Sequence, residues 1–282
     1  MRTRRCRPRG LFSAGHIPAH AVLLVAVTFT FLPFAVMILT SLKSIPQFYR
    51  DFWGLASPIH WANYVDGWQT VRQYLLNSIL VSGAAVAGVL VLSSITAYVF
   101  ARFTFPGRNA LFLALIAVLM VPSVLTLVPA FMVVRQLGLL NSHLALILPY
   151  VSGGQVFAIF LLRSCFEAIP RDLFDAATVD GSSELRIFWH VVLPLSRPML
   201  SVVAIMNLLW AWNEFMWPFV TLNDARKFVL PVGLLAYNTS LYGCQYPALF
   251  AGYVIASLPL LLLFALTTKA FIRGMTSGAL KC

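Results

Sequence analysis

The chain contains stretches too long and too free of charge to belong to a water-soluble core. Residues 21–42 are 22 consecutive residues without an ionisable side chain. About 20 apolar residues in a helix cross the hydrocarbon of a bilayer, so this run is long enough to span it. Comparable apolar runs lie within 75–101, 109–134, 137–162, 199–220 and 248–270. Lipid offers no partner for backbone N–H and C=O groups, which restricts spanning structures to helices and closed barrels. No alternation of apolar and polar residues marks barrel strands. The expectation is an all-α integral membrane protein with about six transmembrane helices. Composition agrees: 10% of the residues are charged, against about 25% in soluble domains.

A net charge of +11 invites a nucleic-acid reading. The positions of the charges exclude it, because no basic face with interleaved aromatics exists. Arg2, Arg4, Arg5, Arg7 and Arg9 precede the first apolar run, where basic residues report membrane orientation. That arrangement resembles a signal peptide, but the run is too long and lacks a small-residue cleavage site, so it reads as a retained anchor. With residues 1–20 a basic cytoplasmic segment, six spans place both termini in the cytoplasm. Fourteen of the 20 Lys and Arg residues then fall inside and six outside. This is the sense that the positive-inside rule demands. The segment 222–247, punctuated by Asn223, Asp224, Asn238, Gly243 and Pro247, is expected outside, dipping into the mouth of the bundle.

Cys6, Cys165, Cys244 and Cys282 are scattered without a C-x-x-C, so neither a disulfide framework nor a metal site is indicated. The five histidines are equally dispersed. Trp53, Trp61 and Trp68 read as interface anchors. Pro33, Pro122, Pro129 and Pro149 fall in or near spans. They are read as kinks, with local unwinding at Pro122 and Pro129 as the alternative. Glu214 is the one acid inside a predicted span. Such a group costs about 2.5–3.5 kcal/mol unless it meets a partner or water. It is either a pathway residue or a structural hydrogen-bonding group, and Trp212 and Asn213 beside it share the pathway reading.

The loop 167–198 holds five of the nine acids: Glu167, Asp172, Asp175, Asp180 and Glu184. Pro170 suits a first helical position, and Asp172 the positive end of a helix dipole. Leu173, Phe174 and Ala177 share a face at helical spacing. Gly181 is expected to end this helix, with Ser182 or Ser183 capping a second one. Leu185, Phe188 and Val192 repeat on the face of that second helix, and Pro194 is expected to close it. Two short amphipathic helices hinged at a glycine form a body that fits a groove on another protein.

This segment resembles the cytoplasmic EAA loop of the permease subunits of bacterial ABC importers. The matching positions are Asp175-Ala176-Ala177, Gly181, Leu193-Pro194 and Pro198, with Asp in place of the family's Glu. Asn77-Ser78 looks like the start of the transport core. Trp212-Asn213-Glu214-Phe215 looks like the W-N-x-F element of the carbohydrate subfamily. Leu230-Pro231-Val232-Gly233 and the segment 271–281 are similar to the ends of maltose-type permeases. The ordered set resembles the second, shorter sugar permease of a heterodimeric pair.

The resemblance implies a permease domain over 21–282 and a coupling loop at 167–198, with Asp175, Ala176, Ala177, Asp180, Gly181, Phe188, Leu193 and Pro194 as its contact residues. It implies a second permease subunit, two copies of an ATPase, an extracytoplasmic solute-binding protein and a sugar or polyol substrate. ATP and magnesium belong to the ATPase, since this chain has no G-x-x-x-x-G-K phosphate loop and is expected to bind no cofactor. An independent secondary transporter or channel would need its own coupling residues and preferably an internal repeat, neither of which is evident. An enzyme would need a paired nucleophile and base or a ligand cluster.

Overall fold

The computed structural model describes residues 17–239 and 245–279, with residues 17, 19, 239 and 266–279 described by backbone alone. The amino-terminal arginines, Cys6, Cys244, Lys281 and Cys282 lie outside the described residues. Thirteen α-helical segments and no strand occur among the described residues. The chain divides into two compact units, residues 1–68 with 243–255 and residues 69–242 with 256–282.

The first unit is built on α1 (Ile17–Ser41). Its apolar side chains, among them Val22, Leu23, Phe29 and Phe31, are exposed, as expected of a helix whose solvent is lipid. Lys43 follows and is buried, its Nζ donating to the carbonyls of Asp51 at 2.6 Å and Phe52 at 2.7 Å. A buried ammonium needs such acceptors, and these two tie down the turn after α2 (Ile45–Arg50). That helix begins in a capping box between Ser44 and Gln47. Phe48 stacks on Tyr246 with ring centroids 5.3 Å apart.

In the second unit, helix α3 (Ala62–Arg102) contributes everything after Trp68. Its 41 residues extend about 60 Å, twice the hydrocarbon thickness, so the helix runs well past the expected 75–101. Next come α4 (Arg108–Ala117), a 3-10 turn (Val118–Met120) and α5 (Ser123–Gln136). The stretch 109–134 is therefore not one continuous helix with a simple kink: its halves meet at 102°. Pro122 is the cause. It forces Val121 into extended backbone (φ −80°, ψ 118°) and itself stands at the N-cap of α5. Pro129 sits inside α5 without breaking it.

Helix α6 (Leu144–Glu167) begins seven residues later than 137, because Gly138 (φ 68°) and Asn141 (φ 55°) turn the chain first. Then follow α7 (Arg171–Val179), α8 (Glu184–Ile187), a π-turn (Phe188–Val192) and α9 (Leu193–Leu195). After these come α10 (Arg197–Asn213), α11 (Met216–Thr221), α12 (Leu230–Thr239) and α13 (Tyr246–Ala279). The stretch 199–220 is also two helices rather than one. Pro218 in a continuous helix would clash with the carbonyl of Glu214; here the helix restarts instead, with Pro218 in the first turn of α11. Four helices are long and apolar enough to cross a membrane, or up to six if each of two bent pairs, Arg108–Met120 with Ser123–Gln136 and Glu184–Leu195 with Arg197–Asn213, counts as one span.

The core of the second unit has three clusters. One joins α3, α6 and the 171–203 region through Ala97, Ile159, Leu162, Phe188 and Val203. A second joins α3, α6 and α11 through Val81, Leu146, Tyr150 and Trp217. The third gathers Val71, Leu75, Trp212, Leu230 and Ala256.

Candidate functional site

The loop between α6 and α10 has the two-armed form its sequence implies, with changes in detail. Pro170 is the N-cap of α7 rather than its first helical residue, and Asp172 lies in the first turn. At the other end Gly181 has φ 74°. Its N–H donates to Thr178 O at 3.0 Å, and the N–H of Ser182 donates to Ala177 O at 3.0 Å. These two bonds form a Schellman ending, which needs the left-handed backbone glycine adopts without penalty. Ser183 occupies the N-cap of the second arm by its backbone, but neither serine supplies the expected side-chain cap. Pro194 does not close that arm. Its ring would strike the carbonyl of His190 in a regular helix. The wide turn, in which Leu193 N–H reaches Phe188 O, avoids the clash, and helical backbone continues to Leu195.

The faces of the loop differ from the expected ones. Phe174, Ile187, Phe188 and Val192 are buried against Ala97, Tyr98 and Phe100 of α3 and Ala158, Ile159, Leu162 and Phe166 of α6. Ala177 and Leu193 are half-buried beside them. Leu173 and Leu185, expected on the apolar faces, are exposed instead, Leu185 at 68%. Helix spacing identified a repeat but not which side of it the bundle covers. Phe188 and Val192 therefore bind the loop to its own chain, and the outward apolar groups include Leu173, Val179, Leu185, Trp189 and Leu195.

The five acids divide the same way. Glu167 accepts from Arg108 at 3.1 Å and Arg163 at 2.9 Å. Glu184 accepts from the Tyr98 hydroxyl at 2.6 Å. Asp172 and Asp175 of α7 and Asp180 at its C-cap are exposed, with Ala176 and Val179 among them. Two α3 residues hold the loop and were not singled out from sequence: Tyr98, and Arg102, whose guanidinium lies 4.5 Å from the centre of the Phe174 ring. Their i, i+4 spacing at a helix end was visible, but nothing in sequence named their partners.

At the second candidate site the helix breaks. Asn213 ends α10, and its amide donates back to Leu209 O at 2.7 Å. Glu214 is extended (φ −66°, ψ 122°). Its carboxylate accepts from the backbone N–H of Trp217 at 3.1 Å, so it caps the first turn of α11. Trp212 is buried in the cluster with Val71 and Leu230. Trp217 is buried too, its indole N–H donating to Ala145 O at 2.8 Å. Asn213 is exposed and Glu214 half-buried.

Comparison with known proteins agrees with this architecture. Residues 89–277 match the family described as binding-protein-dependent transport system inner membrane component. The diacetylchitobiose uptake system permease protein NgcG of Streptomyces coelicolor is 35% identical over 268 residues, 93% of this chain and 88% of that protein. The arabinooligosaccharides transport system permease protein AraQ of Bacillus subtilis is 31% identical over 280 residues, 94% of this chain and 99% of that one. Among solved structures, a bacterial ABC transporter involved in the import of the acidic polysaccharide alginate contains a chain of the same fold. The TM-score is 0.83 at 21% identity, covering 93% of this chain and 100% of that chain. The chain belongs to the inner membrane components of binding-protein-dependent transport systems and is a permease subunit of an ABC importer.

Proposed function

We propose that this permease pairs with a second permease subunit to carry a sugar or related polyol across the cytoplasmic membrane. Two copies of a separate ATPase supply the energy, and an extracytoplasmic binding protein delivers the solute. The solute class rests on the relatives, which are named for diacetylchitobiose and arabinooligosaccharides. The 14-to-6 split of basic residues supports cytoplasmic termini and a cytoplasmic loop 167–198.

One observation carries the coupling role. The outer side of α7 presents Asp172, Asp175 and Asp180 around Ala176 and Val179, while the loop's buried apolar residues are used on α3 and α6. A rigid acidic surface packed on two long helices suits a lever: it docks in a cleft of the ATPase, and closure of the ATPase pair on ATP moves the helices beneath it. Asn213 and Glu214, at the break between α10 and α11, are the polar groups this reading gives the pathway, with Trp212 fixing the break from behind.

The docking role is tested by co-purification of the ATPase with this subunit. Asp175→Lys reverses a charge on the docking surface and is expected to weaken retention about tenfold or more. Asp175→Glu keeps the charge and is expected to retain the ATPase. Wild-type retention with Asp175→Lys would remove this surface from the docking role.

A further inference from the structure

The two arms of the loop meet one face of one helix. Tyr98 and Arg102 are four residues apart on the last turns of α3 and therefore point the same way. Tyr98 addresses the second arm twice. Its hydroxyl donates to Glu184 Oε2 at 2.6 Å, and its ring packs on Phe188 with centroids 5.2 Å apart. Arg102 addresses the first arm through the Phe174 ring. The two contacts flank the Gly181 turn on either side. Helix α6 shares a core with the same arms through Ile159, Leu162 and Phe166, whose side chains offer apolar contact and no hydrogen bond.

The Tyr98–Glu184 bond differs from those apolar contacts in kind. A hydroxyl-to-carboxylate bond of this length is charge-assisted and directional, and it resists displacement along the helix axis in a way that dispersion contacts do not. Tyr98 is 6% exposed and holds its hydroxyl in place from the buried side, while Glu184 lies exposed at the start of the second arm. Glu184 opens the second arm, directly after the turn, where a change in the angle between the arms is felt first.

We propose that Tyr98 and Glu184 form the link that makes α3 follow the loop, so that nucleotide-driven motion reaches the outer half of this helix through one hydrogen bond. Tyr98 is a positioning residue for transport and takes no part in docking the ATPase. The inference rests on the coupling reading of loop 167–198, and the experiment separates the two.

The test uses the assembled transporter with the four native cysteines of this chain replaced by serine. Single cysteines are placed at Leu76 and Leu80, both exposed on α3. Their rates of maleimide labelling are compared in the nucleotide-free complex and in the complex trapped with ATP and vanadate. The parent is expected to show a change of roughly fivefold or more between the two states at one or both positions. Tyr98→Phe keeps the ring and removes one oxygen, and Glu184→Ala removes the acceptor. Both are expected to abolish most of that change while the ATPase still co-purifies. Glu184→Gln keeps an acceptor oxygen and is expected to restore it. The double variant Tyr98→Phe with Glu184→Ala is expected to be no worse than either single one, because each removes the same bond. If Glu184→Ala does not accumulate, Tyr98→Phe against Glu184→Gln decides. No change at either cysteine in the parent, or an undiminished change with Tyr98→Phe, overturns the proposal. Loss of the ATPase with Tyr98→Phe overturns it also, since the contact would then belong to docking. Failure of the docking reading shows separately, as wild-type retention with Asp175→Lys.

Discussion

At the scale of single residues, the Asn77-Ser78 pair that resembles the start of the transport core has a structural task. The Asn77 amide donates to Arg226 O and Phe228 O, each at 2.9 Å, and the Ser78 hydroxyl accepts from Leu230 N–H at 2.7 Å. On the other side Asn141 Oδ1 accepts from the N–H groups of Asn223 and Asp224, both at 3.1 Å, and Lys227 Nζ donates to Asn141 O at 2.7 Å. The segment 221–230 is thereby strapped to α3 and to the turn before α6. Beside the strap, the hydrogen bond from Arg226 holds the Asp224 carboxylate below the usual range. Asn77→Asp keeps the shape but turns a donor into an acceptor facing two carbonyls. It is expected to cost the strap about 2–3 kcal/mol. Tryptic cleavage after Arg226 and Lys227 in the purified protein should accelerate tenfold or more. An unchanged cleavage rate would show that the strap does not depend on Asn77.

At the scale of elements, position decides what a breaker does. Pro33, Pro129 and Pro149 sit inside continuous helices, whereas Pro122 divides a span and Pro194 widens a turn. Each missing N–H and displaced carbonyl must be absorbed locally. Packing on both sides of the break decides whether a kink suffices. Gly181 shows the opposite dependence, since a Cβ there would meet nothing within 4 Å. The penalty for a side chain is then one of backbone torsion alone, about 1–2 kcal/mol, larger for a β-branched residue and smaller for asparagine. Gly181→Val is therefore expected to insert normally yet reduce ATPase co-purification severalfold, because α7 and α8 no longer meet across the Schellman turn at their native angle. Gly181→Asn is expected to behave nearly as the parent. Equal retention by both variants would dissociate the turn geometry from docking.

At the scale of the whole molecule, the charge asymmetry and the broken helices make one prediction about topology. Reporter fusions at Asn63 and Tyr237 are expected to read outside, and fusions at Gly107 and Gly181 inside. A cytoplasmic signal at Tyr237 would remove the six-span arrangement. That the chain is helical and lives in lipid was legible from residues 21–42 and their counterparts, because hydrocarbon leaves the backbone no other solution. The Gly181 turn was legible too, because a Schellman ending is specified within a few neighbouring residues. Tertiary structure alone decided that Phe188 and Val192 face inward while Leu185 faces out, that Glu184 belongs to Tyr98, and that Glu214 caps α11. Helical periodicity defines a face but not its partner, and a hydrogen bond between positions 86 residues apart leaves no local trace in the chain that forms it.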